Sequence, residues 1–245
     1  MKKVLVLLTL LVSTLSQAQL TSKQVDSLYK GYPTVKSNFC PACKEWDNPY
    51  FKSIADTQKH MPLVEHELLH KDSILRKVKR EGVYAAWNPV YKQPDETKVY
   101  IAANVIVKKN KDEIAKGHVM SWLWNSFSPY SAIFSDTYTF NAGFQDQFEN
   151  VGTKIAIENM VDEYLLTSNV EVWGGTFGSQ GTFTDGKITC TYPAYYWHIV
   201  IHNNIIQCYW LPNLKTETQA MLSKRVVTLP QLIDSLGFNP TTTLR

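Results

Sequence analysis

The 245-residue chain is 44% hydrophobic and 19% charged, with a formal net charge of +3 at pH 7 to which Lys2 and Lys3 contribute two units. That balance excludes a disordered or low-complexity protein. It gives no bulk electrostatic sign of a nucleic-acid ligand, which would need a local basic groove.

Met1-Lys2-Lys3, an apolar run from Val4 to Val12 and a small-residue patch ending Ser16-Gln17-Ala18 form the three-part layout of a secretory signal peptide over residues 1–18. Cleavage near Ala18 is expected to leave a soluble mature chain in the periplasm or the medium. The apolar run is too short for a permanent span and no Cys follows Ala18 to accept lipid, so no membrane anchor is expected. Residues 19–61 read as an N-terminal extension containing Cys40-Pro-Ala-Cys43. The surrounding stretch from Phe39 to Tyr50 is rich in Pro, Asn and aromatics, a loop and not the helix start that a redox pair requires. A zinc site would need a second close pair, and Cys190 and Cys208 are too widely spaced. A local structural disulfide is the expectation in an oxidising compartment. If a hairpin turns at Asn203-Asn204, Cys208 faces Ile199 and not Cys190, which leaves the state of these two open.

His66-Glu67-Leu68-Leu69-His70 matches the HExxH zinc-peptidase pattern, which needs a helix to bring both histidines to one metal. Leu63 to Leu68 fits an exposed or edge strand equally well, and a five-residue pattern with two free positions arises by chance. Thr97 to Lys108 alternates, with Val99, Ile101, Ala103, Val105 and Val107 on one face, so it is expected as a half-buried strand. From Gly152 to Leu166, Ile157, Met160, Val161, Tyr164 and Leu165 recur at helical spacing, with Lys154, Glu158 and Asp162 on an opposite polar face. Val170 to Trp173, Tyr195 to Ile201 and Ile205 to Leu211 are rich in β-branched and aromatic residues and read as strands, the last two flanking the Asn-Asn turn. Strands, one long central helix, then more strands predict an α+β domain rather than a doubly wound βαβ fold.

Lys116-Gly117-His118, then Asn141 with Gln145, then Asn150, Gly152, Ile157 and Glu158 keep a distinctive order and spacing. Together they resemble the centre of the DNA/RNA non-specific endonuclease family. There an Asp-Arg-Gly-His motif precedes Asn-x-Ser/Thr-Pro-Gln, and Asn-x-Gly-x-Trp-x-x-Leu-Glu opens the central helix. Weaker collinear anchors run from Pro62 to Phe238. Leu63 to Leu68 looks like the family's Trp-Val-x-x-x-Leu strand, Arg80 like its downstream Arg, and Val172-Trp173-Gly174 like its Val-Thr-Gly. Pro193 to Ile199 looks like Pro-x-x-Phe-Tyr-Lys-Val, and Leu211-Pro212-Asn213 like Leu-Pro-Asn.

The resemblance implies a ββα-metal nuclease fold, a mixed, mainly antiparallel sheet flanked by helices, over residues 62–245. It also implies a secreted enzyme that hydrolyses DNA and RNA with one Mg2+, for which Mn2+ or another divalent cation could substitute; a homodimer is left open. His118 becomes the general base, titrating near neutral pH as that task needs. Asn150 becomes a direct metal ligand, its neutral amide oxygen and retained waters suiting magnesium. Glu158, eight positions on and about 80 degrees round the helix, would hold a metal-bound water. Arg80 and Lys116 would contact phosphate, and Asn141 would orient backbone or substrate. For Asn150 the plainer alternative is a helix N-cap, and for Glu158 a surface ion pair with Lys154.

Six positions depart from the family pattern. Ala115 and Lys116 stand for its Asp and Arg, Gly143-Phe144 for Ser/Thr-Pro, Lys154 for Trp, and His198 for Lys. Lysine keeps the charge of arginine without its bidentate fork, and Asp112 or Glu113 is the expected substitute for the missing Asp. Two rival readings follow: a catalytically weakened or inactive nucleic-acid-binding protein on the same scaffold, and a zinc peptidase built on His66 and His70.

Overall fold

The computed structural model describes residues 27, 30–71, 73, 78, 96–108 and 112–244. The signal segment 1–18 and Arg80 lie outside the described residues. In chain order the elements are β1 (Val35–Lys36), β2 (Cys43–Asp47), β3 (Lys52–Asp56), β4 (Met61–Leu69), α1 (Thr97–Val107), β5 (Ile114–His118), α2 (Pro129–Ser135) and β6 (Ala142–Asp146). Then come α3 (Ile155–Leu165), β7 (Val170–Phe177), β8 (Gly181–Thr184), β9 (Thr189–Tyr192), β10 (Tyr195–His202), β11 (Ile205–Pro212), β12 (Val226–Val227) and α4 (Leu229–Leu236).

Eight strands form one sheet in the order β1-β2-β3-β4-β7-β10-β11-β12, and every neighbouring pair is antiparallel. The chain is therefore an α+β structure with an antiparallel sheet flanked by helices. Strand alternation sorts the side chains into two apolar layers. Tyr196 and Val200 of β10 face α3, where Ile157, Val161 and Leu165 complete a core with Trp46, Met120, Trp124 and Phe134. Trp197 and Ile199 face the other way, onto Leu232 and Leu236 of α4. A third cluster, of Val99, Tyr100, Ala103, Ile114, Phe144 and Cys190, joins α1 to the β5–β6 and β8–β9 hairpins.

Asn203 and Asn204 both adopt left-handed φ values, 49° and 64°, and join β10 to β11. The register places Ile199 opposite Cys208, as the turn position requires. Cys208 and Cys190 are buried and unbonded in separate clusters, while Cys40 and Cys43 form a disulfide.

Thr97 to Val107 corrects the sequence reading, because it is helical. Val99 and Ala103 are fully buried whereas Ile101 and Val105 are more than half exposed, so the buried set follows a period near 3.6. Tyr100, Ala102 and Ile106 fall between the alternating apolar positions, so the segment fits both periods. Packing of Val99, Tyr100 and Ala103 against β5 and β8 decides for the helix.

Candidate active site

Strands β5 and β6 pair with Lys116 opposite Phe144, Gly117 opposite Gly143 and His118 opposite Ala142. A Cβ at Gly117 would overlap the Gln145 side chain, so only glycine admits this close approach. His118 ends β5 and is only 8% exposed. Its Nε2 lies 2.9 Å from Oδ1 of Asp136, the residue that follows α2. Lys116 Nζ lies 2.9 Å from the same oxygen, donates to the Asp136 carbonyl at 2.7 Å and stands 4.1 Å over the Tyr138 ring.

Burial alone would raise the Asp136 carboxyl. The charge of Lys116, with the hydrogen bond and charge of His118, outweighs burial and holds the carboxyl down to about 2. An ionised carboxylate only accepts, so Nε2 of His118 carries a proton and the lone pair of the neutral ring sits on Nδ1.

The carboxylate that meets His118 and Lys116 is Asp136, where the sequence reading looks to Asp112 or Glu113. Asp112 lies instead beside Asp146 and Tyr192, where its charge raises both groups. Nothing in the spacing of the sequence marks Asp136, because its approach depends on α2 folding back against β5.

Asn141 is fully buried and its amide is committed to backbone. Nδ2 donates to the carbonyls of Met120 at 2.9 Å and Ser135 at 2.5 Å, and Oδ1 accepts from Met120 N at 2.6 Å. The side chain thereby ties the chain just beyond His118 to the end of α2 just before Asp136. Of the two roles expected for Asn141, this geometry serves orientation of backbone and leaves no atom exposed for a substrate.

Asn150 opens a π-helical turn, Asn150–Lys154, that delivers the chain into α3. Its own backbone is helical and it is the C-cap of the short helix Gln147–Glu149, not an N-cap; the N-cap of this region is Asp146, whose side chain accepts from Phe148 N. Gly152 breaks the helical geometry there, and a Cβ on it would run into the Glu217 backbone. The kink turns Lys154 inward. Lys154 was expected on the polar face, yet it is 1% exposed.

Its Nζ donates to the Val119 carbonyl at 2.8 Å, approaches His198 Nε2 at 3.3 Å and lies 3.8 Å from Glu158 Oε1. The Lys154–Glu158 pair is therefore interior at one end, and it brings Glu158 close to the residue after His118. Glu65, Glu67 and Glu149 are buried around the same ammonium, and all three feel its charge. Burial raises Glu65 well above the carboxylate range and takes Glu67 and Glu149 to about 8; Asn125 donates to Glu67 at 2.9 Å and Gln145 donates to Glu149. Burial also lowers Lys154, against the pull of Glu158 and the other carboxyls, and lowers His198 further, with the Lys154 charge adding to that effect.

This buried charge cluster is the second feature the sequence did not disclose. Strand alternation in Glu65-His66-Glu67 puts both glutamates on one face, and that was the one available signal.

His66 and Glu67 lie on central strand β4, between β3 and β7, and so point to opposite faces. His70 follows the end of that strand, roughly 13 Å along the chain from His66 at strand rise. His66 stacks on Trp173 at 3.9 Å and bonds Glu171 at 3.0 Å. The helical geometry of a zinc peptidase is absent here.

A scan against models of protein families finds none that matches, and no curated protein matches. The fold itself is shared. A chain from the crystal structure of the EndoG/EndoGI complex, described as revealing the mechanism of EndoG inhibition, superposes with a TM-score of 0.60 at 14% identity, over 87% of this chain and 89% of that one.

Proposed function

We propose that the chain is an exported, metal-dependent nuclease that hydrolyses phosphodiester bonds of DNA and RNA. The observation that supports this most is the Lys116–His118–Asp136 cluster, in which a buried carboxylate fixes the tautomer of a histidine at the end of β5. The fold is also shared with a chain from a complex of EndoG, a nuclease. Two antiparallel strands, β5 and β6, followed by the Asn150 turn and α3, support this reading, since the resemblance implies a ββα core.

In this reading His118 takes a proton from the attacking water at Nδ1, and Asp136 stabilises the imidazolium that forms. Asn150 and Glu158 offer an amide and a carboxylate oxygen, a hard donor set of the kind magnesium accepts when it keeps several waters. Bound there, the cation would neutralise charge developing on the phosphate. Arg80 and Lys116 remain the proposed phosphate contacts. Removal of residues 1–18 on export is part of the same proposal.

A catalytically weak, nucleic-acid-binding scaffold is the second reading. It is favoured by the two bonds that hold Lys116 on Asp136, which turn its charge inward.

The deciding experiment incubates purified mature protein with plasmid DNA and total RNA, with and without magnesium, beside His118→Ala and His66→Ala. Cleavage lost with His118→Ala and kept with His66→Ala supports the nuclease. A folded wild type that binds nucleic acid in a salt-dependent manner but does not cleave under any divalent metal overturns it in favour of the scaffold.

A further inference from the structure

Away from that cluster, three residue types that ligate metals meet in the interior at the β8–β9 hairpin. His60 lies in the turn before β4, Glu96 immediately precedes α1 and Cys190 lies on β9; one ligand atom from each lies within 4.8 Å of the others. Glu96 and Cys190 are fully buried and His60 is 9% exposed. His60 Nδ1 stands 3.1 Å from Glu96 Oε1, and the same oxygen accepts from Thr139 Oγ1 at 2.5 Å. The second oxygen, Glu96 Oε2, is buried and has no hydrogen-bond partner among the described residues.

A buried carboxylate oxygen without a partner is costly and calls for an explanation. Disulfide formation does not occupy Cys190, because Cys208 lies on β11 in a different apolar cluster. A cation held between a Glu96 oxygen, a ring nitrogen of His60 and Cys190 Sγ would satisfy the orphaned carboxylate and use all three side chains, replacing the His60–Glu96 hydrogen bond.

We propose that His60, Glu96 and Cys190 form a zinc site that pins the β8–β9 hairpin to the β3–β4 turn and to the start of α1. The donor set decides the metal. Thiolate and imidazole beside one carboxylate suit zinc, which takes three protein ligands and a fourth from water in a tetrahedron. Magnesium, a hard cation that keeps oxygen ligands and its own waters, does not suit a thiolate. The site is thus chemically separate from the oxygen donors Asn150 and Glu158, and the proposal stands or falls independently of nuclease activity. The bond from Thr191 N to the Lys59 carbonyl at 2.9 Å already joins two of the three segments, so their approach is set before metal binds.

Cobalt(II) is the probe, because a thiolate ligand gives it a sulfur-to-metal charge-transfer band in the near ultraviolet. Purified mature protein is titrated with cobalt in excess magnesium, then with zinc, beside Cys190→Ala, Cys208→Ala and His60→Asn. Asparagine tolerates the left-handed φ of 53° at position 60. Expected are a band saturating at one cobalt per chain, its bleaching by zinc, and its persistence in Cys208→Ala. Cys190→Ala should lose the band, and His60→Asn should bind at least tenfold more weakly. If Cys190→Ala or His60→Asn fails to fold, the wild-type and Cys208→Ala titrations decide together, since they separate the two free thiols. No band in folded wild type overturns the proposal, as does a band that excess magnesium removes or that Cys208→Ala abolishes.

Discussion

Asp136 lies eighteen residues beyond His118, yet its Oδ1 holds the imidazole Nε2 at 2.9 Å while also taking the ammonium of Lys116. One buried carboxylate therefore serves two hydrogen-bond donors. Asp136→Asn keeps the shape but removes the charge that fixes the ring, so nuclease turnover should fall on the order of 100-fold or more. Steady-state cleavage rates on plasmid DNA, with circular dichroism as a fold control, test this.

The same residue makes an acid-stability prediction. Its carboxyl is held at about 2 in the folded state, below its ordinary value of 3.8. A depressed acid contributes stability that is fully present above its unfolded value and is lost as pH falls through the folded one. On the order of 2 kcal/mol should disappear between about pH 4 and pH 2. Urea titrations across that window should show the loss in wild type and a flatter profile in Asp136→Asn.

Glu67 has the opposite sign. Burial raises its carboxyl to about 8 from 4.5, so the unfolded chain gives up this proton first as pH rises. Stability should decline from about pH 4.5 to pH 8 and then level off. Glu67→Gln keeps an acceptor for Asn125 and cannot ionise, so its melting temperature should match wild type at pH 5 and exceed it by several degrees at pH 8. An equal shift at both values would refute the assignment.

Lys154→Met removes an ammonium that Glu65, Glu67, Glu149 and Glu158 share while nearly keeping its volume. Breaking a buried charge set by deleting one member typically costs roughly 3–5 kcal/mol. The loss should be larger at pH 8 than at pH 5, where more of the carboxyls are neutral. Chemical denaturation at both values measures it, and a pH-independent loss would argue for packing alone.

Gly117→Ala forces a methyl group into Gln145, the partner of Glu149. Overpacking of this kind typically costs about 1–3 kcal/mol. Because His118 is the next residue, cleavage should fall further than stability alone explains, as assayed well below the melting temperature.

Legibility in the sequence followed the range of the interactions. Strands β7, β10 and β11, the Asn203–Asn204 turn and helix α3 are local patterns, and each was readable from periodicity and turn chemistry. So was the Cys40–Cys43 disulfide, whose partners are three residues apart. Helix α1 misled because its apolar residues fit two periods, and only its tertiary neighbours separate them. Asp136 and the inward turn of Lys154 were unreadable for a similar reason. One depends on how α2 packs, and the other on a kink at Gly152 that lets Glu217 approach.

The 3.3 Å approach of Lys154 to His198 joins two positions at which the sequence differs from the endonuclease pattern it resembles. Read along the chain they are unrelated oddities, a lysine where tryptophan is usual and a histidine where lysine is usual. In space they are neighbours, an ammonium from the turn before α3 beside an imidazole from β10. His198→Lys would crowd two ammonium groups together and Lys154→Trp would leave the acidic cage without its counterion, so each exchange made alone should destabilise. The paired exchange keeps one buried cation in the cage, so its cost should fall below the sum of the two single costs, a coupling that a one-at-a-time mutational scan would miss.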